Sequence, residues 1–123
     1  MITGAHFLLY SKDPGADRAF FRDVLGFRSV DVGEGWLIFA LPPAEMGVHP
    51  SEGTFVQHHA EQELAGMVLY LMCDNLQEMM NSLEAKNVKC TAIEQAPWGV
   101  KTTIPLPSGA QIGLYQPRHR TAI

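Results

Sequence analysis

Apolar positions run through the same succession of patterns twice along the chain. Residues Ala5 to Tyr10 (AHFLLY) form a short, largely apolar segment that reads as a strand. A helix follows, with Asp13 as N-cap and Pro14 in the first turn, where its missing N–H costs nothing. Ala16, Phe20 and Val24, flanked by Phe21 and Leu25, make its buried stripe, and Gly26 stops it as a residue free to turn left-handed. In the second half, Met67 to Cys73 reads as a strand and Asn75 as the next N-cap, with Glu78 three residues on. Leu76, Met79, Met80 and Leu83 give that helix its core face, and Asn87 ends it.

Three strand-like segments follow each helix. The first set is Phe27 to Val32, Trp36 to Leu41 and Glu45 to His49; the second is Val88 to Ile93, Trp98 to Ile104 and Gln111 to Gln116. Each half therefore reads β-α-β-β-β. Asp13 corresponds to Asn75 and Gly47 to Gly113, a period of about 62 to 66 residues, which points to an internal duplication. The expected architecture is a single α+β domain over residues 1–123, with module one at about 2–50, a connector at 51–65 and module two at about 66–117. The connector (SEGTFVQHHAEQELA) is polar and lacks apolar periodicity, so it reads as a linker or a covering loop. Its His58, His59 and Glu61 are surface-loop residues on this reading.

Length and composition narrow the function. A chain of 123 residues that is 46% hydrophobic can bury a core without disulfides or a structural metal. A formal net charge of −4, with Arg118-His119-Arg120 as the only basic concentration, argues against nucleic acid as a partner. That terminal run reads as a solvated end. No apolar stretch is long enough for a membrane span and the first residues lack a signal-peptide layout, so a cytoplasmic location is expected. Cys73 and Cys90 lack metal or redox spacing and read as reduced core residues.

The segments His6 to Asp13 (HFLLYSKD), Ala19 to Phe27 (AFFRDVLGF), Pro97-Trp98-Gly99 and Gly109 to Pro117 (GAQIGLYQP) resemble the vicinal oxygen chelate superfamily. That superfamily includes glyoxalase-type lyases, bleomycin resistance proteins and extradiol dioxygenases. The resemblance spans about Ile2 to Pro117 and implies two tandem βαβββ modules curled into a cupped, incomplete barrel (the glyoxalase/bleomycin resistance fold), a small-molecule ligand and a homodimer. In similar metal-dependent members a divalent ion is held by the first and last strands of each module and chelates two adjacent substrate oxygens. Here the matching positions carry His6, Val68, Gly47 and Gly113, and only His6 can ligate.

The leading expectation is therefore a protein that binds a small organic molecule in the cup, with no metal cofactor. Strand alternation assigns the lining to His6, Leu8, Tyr10, Gly47, His49, Val68, Tyr70, Gly113 and Tyr115. The two glycines would widen the floor where a metal cluster would otherwise sit. The alternative is a metal-dependent lyase or extradiol-type dioxygenase with a displaced His6, Glu45 and His49 site, and whether the chain is an enzyme stays open.

Overall fold

The computed structural model describes all 123 residues, which form two compact units. The first comprises Met1–Ala40 with Pro105–Ala110, the second Leu41–Ile104 with Gln111–Ile123.

In the first unit, helix α1 (Pro14–Asp23) begins as the sequence requires, with the Asp13 carboxylate accepting the Ala16 N–H at 3.2 Å. It closes with the Leu25 and Phe27 amides returning to the Phe20 and Phe21 carbonyls while Gly26 turns to φ 74°. Phe20 and Phe21 are buried, and the Phe21 ring lies 5.8 Å from those of both Phe27 and Phe39. Strand β1 (Ser29–Asp31) pairs antiparallel with β2 (Leu37–Phe39). The hairpin turn is fastened by the Asp31 carboxylate, which accepts the Gly33 and Gly35 amides at 2.8 and 3.2 Å.

The second unit opens with a hairpin of β3 (Val56–His59) and β4 (Gln62–Ala65). Then come β5 (Tyr70–Met72), α2 (Leu76–Glu84), β6 (Glu94–Ala96), β7 (Gly99–Pro105) and β8 (Gln111–Pro117). The last four strands form one open sheet in the order β5-β8-β7-β6, with β5 parallel to β8 and β6 antiparallel to β7. This is the expected β-α-β-β-β module, and neither it nor the two hairpins close into a barrel. Asn75 caps α2 by accepting the Glu78 N–H at 3.0 Å, and the Gln116 side chain accepts the Leu76 N–H at 2.9 Å. At the far end Asn87 sits at φ 63° and the Val88 amide returns to Leu83. Leu76, Leu83, Val88, Ile104, Ile112, Leu114 and Tyr115 are the buried core of this unit.

Four expected segments differ. Ala5–Tyr10 and Glu45–His49 form no ladder, and their apolar side chains stay exposed, Met46 and Val48 most of all. A strand exists only with a hydrogen-bonding neighbour, and β1 and β2 pair solely with each other. The alternation that put Gly47 and His49 on one lining face therefore lapses. Residues 88–93 are irregular: the Thr91 hydroxyl bonds Thr102 and Thr103, which replaces a regular ladder at that point. Conversely, the 51–65 connector contains the β3–β4 hairpin. Its turn residues Ala60 and Glu61 take φ 48° and 65°, as a tight hairpin turn demands, without the glycine or asparagine that would have signalled it.

Candidate functional site

The second unit gathers an aromatic cluster on one end of its sheet. In the β5–β8 register Tyr70 faces Gly113 and Met72 faces Tyr115, so Tyr70 and Tyr115 lie on diagonal neighbours of one face. Their rings meet edge to face at 5.6 Å. Trp98, at the mouth of β7, completes the set at 5.8 Å from Tyr70 and 5.0 Å from Tyr115, both near-perpendicular. The chain can bring Trp98 there because Gly99 follows it: a Cβ on Gly99 would collide with the Gln116 carbonyl on β8. Lys101 Nζ stands 5.7 Å over the Trp98 ring and 3.5 Å from Glu94.

The segment after β8 folds back over these rings. The Arg118 amide donates to the Trp98 carbonyl at 2.9 Å, and the His119 ring lies 6.1 Å from that of Tyr115 at a 31° tilt. His119 Nδ1 sits 3.0 Å from the Arg120 carbonyl, which can only accept, so Nδ1 carries the proton. In the neutral ring Nε2 then accepts from the Tyr115 hydroxyl, 3.2 Å away. Glu45 closes the arrangement. One carboxylate oxygen accepts the Ala122 N–H at 2.9 Å and the other lies 3.8 Å from His119 Nε2, with the side chain 19% exposed. Burial, reinforced by the negative Glu45, pushes the Tyr115 phenol above its ordinary value and keeps it protonated.

The structure brings together Tyr70, Gly113 and Tyr115 from the expected lining. Gly113 does not open a floor, however: a Cβ there would overlap the Tyr70 ring, so the space is already filled by an aromatic side chain. Gly47 and Val68 of the same unit lie exposed, with open space around Gly47. His49 is exposed and its Nδ1 bonds the Pro50 carbonyl, while Glu45 is turned to the tail; the two do not share a centre. In the first unit His6, Leu8 and Tyr10 lie in the exposed N-terminal segment. Tyr10 also lines a depression of about 550 Å³ with Ser11, Lys12, Ser108, Gly109 and Ala110.

A divalent ion of the kind the resemblance implies needs about three donors. Val68, Gly47 and Gly113 supply none, and no group of three His, Cys, Asp or Glu side chains is placed to hold an ion. Sequence reasoning missed Trp98 as a site residue, placing it at the start of a strand and in the Pro97-Trp98-Gly99 segment, and His119, assigned to a solvated end. No local spacing links either to Tyr70; only the sheet register and the returning tail do.

The family model described as the Glyoxalase/Bleomycin resistance protein/Dioxygenase superfamily matches residues 4–113. Among solved structures, the chain is similar to TnmS3, an antibiotic binding protein from Streptomyces sp. CB03234. The TM-score is 0.62 at 21% identity, over 95% of this chain and 98% of that one. It is also similar to a lactoylglutathione lyase from Agrobacterium tumefaciens, with a TM-score of 0.61 at 19% identity over 93% and 92% of the two chains. A superfamily member from Sphaerobacter thermophilus gives 0.56 at 20% identity over 94% and 98%. No curated protein matches the chain.

Proposed function

Since the chain belongs to the Glyoxalase/Bleomycin resistance protein/Dioxygenase superfamily, we propose that it is a member that binds a small organic molecule and uses no resident metal. The recognition surface is the second unit's cluster of Tyr70, Trp98 and Tyr115. The observation that carries this is the convergence of three edge-to-face rings with polar groups at their margin. The same fold serves a protein described as antibiotic binding and one described as a lyase. The lack of a donor set favours the binder here.

We further propose a homodimer in the cytoplasm. Phe7, Leu8, Leu9, Met46, Val48, Met67 and Val68 are all exposed, which leaves apolar surface for a second copy to cover. Both cysteines are unbridged, as suits a reducing compartment, and no helix is long and apolar enough to cross a membrane.

The test uses a Trp36→Phe background, which leaves Trp98 as the sole indole. A panel of small aromatic and aliphatic compounds is expected to yield ligands that shift Trp98 emission, with the response lost in Tyr70→Ala. A panel without a responder would overturn the proposal. So would one tightly held ion per chain that disappears with His6→Ala, Glu45→Ala or His49→Ala, the result expected of the metal-dependent lyase or dioxygenase.

A further inference from the structure

The polar groups around the aromatic cluster are unevenly matched. Glu45 is the carboxylate that faces it, and both its oxygens look toward the tail: one holds the Ala122 N–H, the other stands off His119 Nε2. The ring that lies on Tyr115 is His119, an imidazole that Tyr115 also bonds through its hydroxyl. Lys101, over the Trp98 ring, is paired with Glu94. With the tail lifted, the Glu45 carboxylate and the Tyr115 hydroxyl lose the partners that Ala122 and His119 supply at the edge of the aromatic cluster. A carboxylate in that position is met best by a positively charged hydrogen-bond donor. Aromatic edges and faces beside it favour a flat cation over an anion.

We infer that His119 is a built-in occupant of this site, held by the segment Arg118–Ile123, and that the external ligand is a small planar aromatic cation that displaces it. The inference rests on the proposed function and adds the ligand's charge class and the residue it competes with. The ligand's ring takes the place of the imidazole against Tyr115, and its N–H donors meet Glu45. The tail thus acts as an intramolecular competitor. Beyond the Arg118 amide, which stays on the Trp98 carbonyl, it is released when its two outer fastenings, Ala122 to Glu45 and His119 to Tyr115, are replaced by stronger ones.

The experiment is calorimetric titration of the full chain with three near-isosteric probes of different charge: benzamidine, benzamide and benzoate. His119→Ala is expected to bind benzamidine about tenfold more tightly than the parent chain, the equivalent of one lost competing contact. Ala122→Pro, which removes the tail's N–H to Glu45 and leaves every ring in place, is expected to move affinity the same way. Adding Glu45→Gln to His119→Ala should remove the preference of benzamidine over benzamide. Equal binding of all three probes would overturn the cation inference while leaving an aromatic site in place. Unchanged benzamidine affinity in both His119→Ala and Ala122→Pro would overturn the competition. If no probe binds any variant, the inference falls, and the proposed function is then decided separately by the Trp98 panel.

Discussion

Asp17 offers the sharpest quantitative prediction. It lies in the first turn of α1, on a helix whose apolar stripe would lead one to expect a solvated side chain, yet it is only 3% exposed. Its two oxygens accept the Ser108 amide at 3.0 Å and the Ser108 hydroxyl at 2.7 Å, and Ser11 adds a further side-chain bond. These bonds fasten the helix to the 105–110 turn within the first unit. Burial alone would raise the Asp17 pKa, and is the largest single influence. The bonds from Ser108 and Ser11 together outweigh it and hold the carboxyl below its ordinary value of 3.8.

Hydrogen bonds to a charged group contribute about 1.5–3 kcal/mol each, less where water can reach the partner, and Ser108 is only half-buried. Asp17→Ala removes the acceptor for both Ser108 donors, so a loss of about 2–3 kcal/mol is expected. At roughly 3–5 °C per kcal/mol for a chain of this size, the melting temperature should fall by about 10 °C. Asp17→Asn keeps one acceptor oxygen and should lose about 1 kcal/mol. The sign of the pH dependence follows from the depressed folded-state pKa. The carboxylate's contribution is complete above the unfolded value and is lost as pH falls through the folded one. Thermal melts of the parent and Asp17→Asn between neutral pH and pH 3 should therefore draw closer toward the acid end. A melting temperature within 1 °C of the parent for Asp17→Ala, or a constant gap between parent and Asp17→Asn down to pH 3, would refute the reasoning.

Three further outcomes are expected. Gly113→Ala should force the Tyr70 ring off its place, cost about 1–3 kcal/mol by overpacking and shift the Trp98 emission, as a urea titration with fluorescence detection would measure. Asn75→Ala removes the α2 N-cap acceptor and should cost about 1 kcal/mol in the same titration, with the aromatic near-ultraviolet dichroism retained. Glu61→Gly relieves a left-handed residue in the β3–β4 turn and should stabilise the chain by about 1 kcal/mol, read as a rise in the melting temperature.

What the sequence made legible tracks how local the determining physics is. Both helices, their N-caps Asp13 and Asn75 and their left-handed stops Gly26 and Asn87 were readable because each is settled within a few residues. Strands β5, β7 and β8 of the second module were readable as apolar runs between turns, whereas β6 lies at Glu94–Ala96 rather than over Val88–Ile93. The ends of Ala5–Tyr10 and Glu45–His49 were not, because a ladder depends on a neighbour that no local pattern names. The β3–β4 hairpin was hidden for the opposite reason: Ala60 and Glu61 adopt a turn conformation that their side chains disfavour, so the pairing of the strands overrides the local preference.

The site was half legible, and Gly113 explains why. A glycine inside a strand reports that a Cβ does not fit; it carries no information about what stands in the way. Read in sequence, Gly113 at the position of a family ligand suggests room left for a bound molecule. In the structure the same glycine is required because the Tyr70 ring crosses it, and that ring in turn braces Trp98 and Tyr115. The absence of a donor at this position and the presence of an aromatic wall therefore go together. A side chain able to ligate would overlap Tyr70, whereas glycine leaves room for the ring. It follows that placing a carboxylate with Gly113→Glu alone would disrupt the cluster before it created a metal site. Only paired with Tyr70→Ala would the position have space for a donor.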